Sequence, residues 1–182
     1  MVYILLADGF EEIEALAPFD ALIRAGVETE LVGVTGPTVT GGHGVAVQTN
    51  HTIDEIDAAA AEAVLVPGGL KGVQNLLASP AALNAIQAAC EAGKKIGAIC
   101  AGPTVLGALG ILEGKSAVCY PGMEDQLTGA QPQPGATAVV DGDVITSRSA
   151  GTAWDFALAV LTELRGREAA ETVARAIHYD HF

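Results

Sequence analysis

Residues 94–112 read KKIGAICAGPTVLGALGIL, an apolar run that ends on a cysteine, passes Ala101, Gly102 and Pro103, and turns apolar again. KKIGAIC has the continuous apolar character of a buried strand, and GPTVLGALGIL that of a short helix. Cys100 therefore stands where a strand must turn sharply into a helix. Its neighbours Ala101 and Gly102 are small enough to permit the turn, as in the nucleophile elbow of hydrolases. A thiol projecting there would face free backbone amides and the positive end of a helix dipole, which predicts a depressed pKa and a reactive thiolate. Spacing alone leaves open the other reading, a buried and inert cysteine that ends a strand.

The same strand-then-helix alternation runs outward in both directions. VYILLA opens the chain as a strand, and residues 11–25 carry Ile13, Leu16, Ala17, Leu22 and Ile23 at helical spacing, with Pro18 as a point of kinking and Gly26 as the stop. VETELVGV is a second strand, and TGPTVTGGHGVAVQTN a pair of small strands or a hairpin between glycine-rich turns. AEAVLVPGG is another buried strand. Ser79 and Pro80 then start a helix that runs to Gly93, because serine caps free amides and proline suits the first turn. After the elbow come SAVCY as a strand, ATAVVDGDVITSR as a hairpin around Asp141 and Gly142, and two closing helices divided at Gly166. Strands alternating with helices imply βαβ units and a parallel sheet covered on both faces. The loops ADGFEEIE, VPGGLKG and ICAGP then gather at one crevice beyond the carboxyl ends of the strands.

With 182 residues, no linker and no repeat, the chain is expected to form one domain over residues 1–182. The 22 acidic against 9 basic residues give a net charge of −13, which disfavours nucleic acid and anionic membrane surfaces and leaves small ligands open. MVYILLADGFEE lacks the basic start and the cleavage site of a signal peptide, and no apolar run is long enough to cross a bilayer, so a cytoplasmic protein is expected. Cys90, Cys100 and Cys119 have no metal-type or thioredoxin-type spacing and are expected to be reduced.

GAICAGP together with ADGFEEIE, VPGG and SRSAGTAWDFAL resembles the ThiJ/PfpI superfamily, and within it the branch of the parkinsonism-associated deglycase and its bacterial homologues. The resemblance covers nearly the whole chain. It implies a flavodoxin-like α/β three-layer sandwich with a mainly parallel sheet, class I glutamine amidotransferase-like, and a homodimer. It also implies one of several activities: a glutathione-independent glyoxalase, a deglycase acting on early glycation adducts, or an oxidative-stress sensor or chaperone. Carried over by position, Cys100 is the nucleophile and Glu14 the carboxyl that hydrogen-bonds it and carries the proton. Gly69 and Ala101 supply the backbone amides of an oxyanion pocket. Enclosure beside a thiolate should raise the pKa of Glu14, whereas Glu11 and Glu12 read as an acidic first turn on a solvated helix face.

The chain departs from the family pattern at Tyr120, which stands in CYPG where the human-type sequence has histidine. A tyrosine is a poor base near neutrality, so Tyr120 is expected to donate a hydrogen bond or shape the pocket. His43, His51, His178 and His181 do not match that position and read as surface residues. HYDH at the terminus is a weak metal pattern, and neither a metal nor a cofactor is expected. Ala101 replaces the histidine that follows the cysteine in peptidase-like branches, which disfavours peptidase activity. GILEGKS is one residue short of a phosphate-binding loop and lies between helix and strand, so it reads as a turn. The expected partners are a small α-oxoaldehyde such as methylglyoxal, or its adducts with thiols and amines. The reading from another class is a redox sensor or protective chaperone in which Cys100 is oxidised.

Overall fold

A computed structural model describes residues 1–181. The chain begins with β1 (Val2–Leu6), α1 (Glu12–Arg24), β2 (Thr29–Gly33), β3 (Thr38–Thr40), β4 (Ala46–Gln48) and β5 (His51–Thr52). The middle third holds β6 (Ala63–Val66), α2 (Leu70–Leu77), α3 (Pro80–Glu91), β7 (Lys95–Ile99) and α4 (Pro103–Ala108). The last third holds β8 (Ser116–Ala117), β9 (Gln131–Pro132), β10 (Ala138–Asp141), β11 (Val144–Ser147), α5 (Ala153–Arg165) and α6 (Arg167–Ala176).

Seven strands form one sheet in the order β10-β11-β7-β6-β1-β2-β5. All neighbours are parallel except the β10–β11 hairpin. β1 shows why the sheet must be covered twice. Ile4 and Leu6 point into a core with Leu22 of α1 and Phe156 and Leu161 of α5, while Leu5 and Ala7 point the other way, toward Leu76, Ile86 and Leu106 of α2, α3 and α4. Alternate residues of one strand thus serve opposite faces, which yields the expected three-layer α/β sandwich. The chain leaves β1 toward β2 on one side and returns with β6 on the other. The resulting reversal point, between β1 and β6, is where open parallel sheets form their crevice.

Two local expectations are corrected. The segment after VPGG is the helix α2 rather than an open loop. Its interior Gly72 weakens the helical signal, and the structure gives the reason for it: a Cβ there would stand 2.8 Å from the backbone N and Cα of Phe10. SAVCY pairs as a strand only at Ser116 and Ala117, in a two-stranded parallel ladder with β9 outside the main sheet. Beyond it Val118 N–H donates to Thr146 Oγ1 at 3.0 Å and Tyr120 N–H to the Cys100 carbonyl at 2.8 Å, so the segment spends its amides on tethering rather than on a ladder. Elsewhere α1 continues through Pro18, and Ser79 Oγ accepts the Ala82 amide at 3.3 Å at the start of α3. Gly110 and Gly114 sit in turns at φ 72° and 71°.

Candidate active site

Cys100 follows β7 directly and takes φ 65°, a left-handed conformation that side chains other than glycine rarely adopt. Strain of this kind persists only where the surroundings hold it. Here the Cys100 amide donates to the Ser147 carbonyl at 3.0 Å, and the Cys100 carbonyl accepts from Tyr120 at 2.8 Å. Gly102 completes the turn, because a Cβ on it would press into the carbonyls of Val66 and Ile99. The expected elbow is therefore formed, and its side chain reaches a small cleft.

Glu14 approaches from the first turn of α1. It is 1% exposed, and its Oε2 accepts the Gly68 amide at 2.8 Å. Oε1 is buried with no hydrogen-bond partner of good geometry among the described residues. Gly68 is the point of contact between the two reactive side chains: a Cβ there would stand 2.6 Å from both Cys100 Cβ and Glu14 Oε2. Burial, opposed by hydrogen bonding to Cys100 and to the Gly68 amide, raises Glu14 from 4.5 to about 7, as expected for an enclosed carboxyl.

The thiol corrects the expectation of a depressed pKa. Burial first, then the charge of Glu14 and the hydrogen bond to it, push Cys100 up to about 12, against the lowering effect of the Ala101 and Gly69 amides. α4, at six residues, is also a short helix for dipole stabilisation. Because the two groups interact directly, they lose their protons as a pair, the carboxyl before the thiol. In the one-proton state, transfer from sulfur to Glu14 gives a thiolate beside a neutral carboxylic acid with no change in net charge. Protonating Glu14 also removes its repulsion of the thiolate.

Gly69 and Ala101, predicted from opposite loops, come together, with both amides acting on the sulfur. Tyr120 is 49% exposed and lines a cleft of about 170 Å³ with Cys100, Gly69, Ala101, Leu70 and Met123. A larger groove of about 550 Å³ adjoins it, sharing Glu11, Gly69 and Leu70 with the cleft and adding Asp8, His43 and Lys71.

The acidic turn is not all solvated. Glu12 is 7% exposed and accepts both the His43 amide and His43 Nδ1 at 2.8 Å. The reason is the β3–β4 hairpin, which folds back over the start of α1 and brings His43 with it. Among the described residues, Glu11, Glu12 and His43 bring their ligand atoms within 4.8 Å of one another, close enough to hold a cation. The oxygens of Glu12 are already engaged within that cluster. His51 pairs with Glu30 at 3.0 Å, and His181 makes an edge contact with Tyr179. Cys119 is buried with its thiol pushed up to about 11, and Cys90 lies in α3.

Sequence reading missed Gly68, Leu70 and Met123. Gly68 carried a signal in the doubled glycine of VPGG, but only the folded chain tells which of the two faces the carboxyl.

The sequence profile of the DJ-1/PfpI family matches residues 1–163. Parkinson disease protein 7 homolog of Danio rerio is 38% identical over 176 residues, 93% of this chain and 92% of that protein. Glutathione-independent glyoxalase DJR-1.2 of Caenorhabditis elegans is 30% identical over 168 residues, 92% of this chain and 89% of that one. Among solved structures, oxidized DJ-1 from Toxoplasma gondii superposes with a TM-score of 0.94 at 31% identity, over 99% of this chain and 98% of its own.

Proposed function

This chain belongs to the DJ-1/PfpI family, and from that premise we propose that it is a cofactor-free cysteine enzyme. It converts small α-oxoaldehydes such as methylglyoxal to 2-hydroxy acids, or hydrolyses their early adducts with thiols and amines. The observation that carries this reading is the pairing of a strained, elbow-borne Cys100 with a buried Glu14 whose pKa is raised to about 7. A carboxyl poised near the working pH is what general acid–base chemistry needs.

In the active microstate the thiolate attacks the aldehyde carbon. A carbon–sulfur bond forms, and the carbonyl pair moves to oxygen beside the Gly69 and Ala101 amides. Glu14 gives its proton to that oxygen, which yields a neutral hemithioacetal. As a carboxylate it then takes the proton from the former aldehyde carbon to form an enediolate. A proton shifts between the two adjacent oxygens, and Glu14 returns its own to the second carbon, leaving a 2-hydroxyacyl thioester. Water attacks the thioester carbon while Glu14 accepts its proton. The carbon–sulfur bond breaks, lactate leaves after losing its acid proton to solvent, and the thiolate and protonated Glu14 are restored. Tyr120, at the open side of the cleft, orients the second carbonyl by hydrogen bonding. The enzyme acts in the cytoplasm as a homodimer.

Lactate formation from methylglyoxal without glutathione tests the reading. Wild type should turn over and folded Cys100→Ser should not, because a serine hydroxyl is far less ionised. Equal rates would overturn it. A second reading, in which Cys100 senses oxidants, is favoured by the oxidized state of the Toxoplasma neighbour. Peroxide would take the sulfur to sulfenate with release of water, and a second equivalent would take it to sulfinate. Sulfinate at Cys100 in a protein without turnover would select that reading.

A further inference from the structure

The groove beside the cleft exceeds what a free α-oxoaldehyde of five heavy atoms requires. The cleft at Cys100 holds about 170 Å³, and the groove that continues from it past Glu11, Gly69 and Leu70 adds about 550 Å³. Its lining carries both signs of charge. Asp8 and Glu11 stand on the segment after β1, and Lys71 stands on α2. Arg24, Lys95, Arg165, Arg167 and Arg175 each pair with a carboxylate; Lys71, like Lys94 and Arg148, pairs with no group among the described residues, and of these three only Lys71 lines the groove. It also stands in the first turn of α2, where the helix dipole disfavours a cation. Its stem is packed so closely on Gly9 that a Cβ there would lie 2.6 Å from Lys71 Cβ. The position therefore costs helix stability, and it places an exposed ammonium without an internal partner on the groove lining of a chain of net charge −13.

We propose that this groove is a second subsite, in which Lys71 selects adducts whose amino-acid part carries an α-carboxylate. The inference rests on the glyoxalase and deglycase reading in placing the reacting carbon at Cys100. A bare anion would be repelled by Asp8 and Glu11, so the fitting ligand carries an ammonium as well as a carboxylate, as a free amino acid does. An adduct of methylglyoxal with an amino-acid thiol spans the two spaces, its oxopropyl end in the cleft and its zwitterionic end in the groove. Lys71 touches no reacting atom and acts on specificity.

Two unreactive thioethers probe this: S-(2-hydroxypropyl)-L-cysteine and its carboxamide, which differ only in the carboxylate. Each is measured as a competitive inhibitor of methylglyoxal turnover. In wild type the acid should inhibit more tightly than the amide by about fivefold, the ratio that one partly exposed ion pair supplies. In Lys71→Met, which keeps the stem and removes the charge, the ratio should fall to about one, while Lys94→Met, at a half-buried lysine outside the groove, should keep the wild-type ratio. Equal inhibition by the two probes in wild type, or an unchanged ratio in Lys71→Met, would overturn the assignment. Should wild type not turn over methylglyoxal, the catalytic reading fails by itself, and calorimetric binding of the same probes to the same three proteins decides the groove by the same ratios.

Discussion

Glu14 sets chemistry against stability in one side chain. Its folded pKa of about 7 lies above the ordinary 4.5, so the folded state binds the extra proton and stability declines as pH rises from 4.5 through 7. Above that window the cost is about 3 kcal/mol, at 1.36 kcal/mol for each pH unit of displacement. Glu14→Gln keeps the shape and an oxygen for the Gly68 amide but carries no charge. It should unfold at higher urea than wild type at pH 8, by an amount that shrinks toward zero at pH 4, while losing most lactate formation. Urea titration at the two pH values checks this, and equal midpoints at pH 8 would mean that the carboxyl is not buried in its charged form. The gain in stability with loss of activity is the trade expected of a functional residue.

At the scale of elements, the site is a meeting of three loop ends, and Gly68 shows how little room they leave. Gly68→Ala would place a methyl group 2.6 Å from Cys100 Cβ and from Glu14 Oε2. It should cost about 2 kcal/mol in denaturant titration, as overpacking does, and reduce turnover more than tenfold by parting the pair. Full activity would place the reactive side chains further apart than they stand here. The same closeness explains what the sequence disclosed. The βαβ order was legible because strands buried on both faces are apolar throughout and alternate with periodic helices, and the elbow was legible because only small residues allow it. Glu14, Gly69, Ala101 and Tyr120 were named from family resemblance; composition and spacing alone left Glu14 on a solvated face. α2 was hidden by Gly72, whose reason is a neighbour 62 residues earlier in the chain, Phe10. Burial of Glu12 was hidden because the β3–β4 hairpin that covers it lies far along the chain. The raised thiol pKa followed from enclosure beside Glu14, and no local pattern reports enclosure.

Across the whole molecule, Glu62 joins the chain's beginning to its late helix, accepting from the Met1 amino group at 2.8 Å and from Arg165 at 2.7 and 3.2 Å. These partners hold it at about 2, below the ordinary 4.5. Its contribution is therefore present above pH 4.5 and lost as pH falls toward 2, the opposite sense to Glu14. Because the side chain is 40% exposed, Glu62→Gln should lower stability by about 1 kcal/mol or less at pH 6, with no difference at pH 2. A larger loss at pH 2 than at pH 6 would reverse the assigned sign. The two carboxyls act at opposite ends of the sheet, and the central claim concerns the one that shares its proton with Cys100. The direct measurement is the rate of Cys100 alkylation by iodoacetamide as a function of pH, followed by peptide mass spectrometry beside lactate formation, in wild type and in Glu14→Gln. The account predicts that alkylation and turnover rise together through pH about 7 in wild type, and that Glu14→Gln removes this common limb. Alkylation rising only through the ordinary thiol range near about 8.5, identically in both proteins and unaccompanied by turnover, would contradict it.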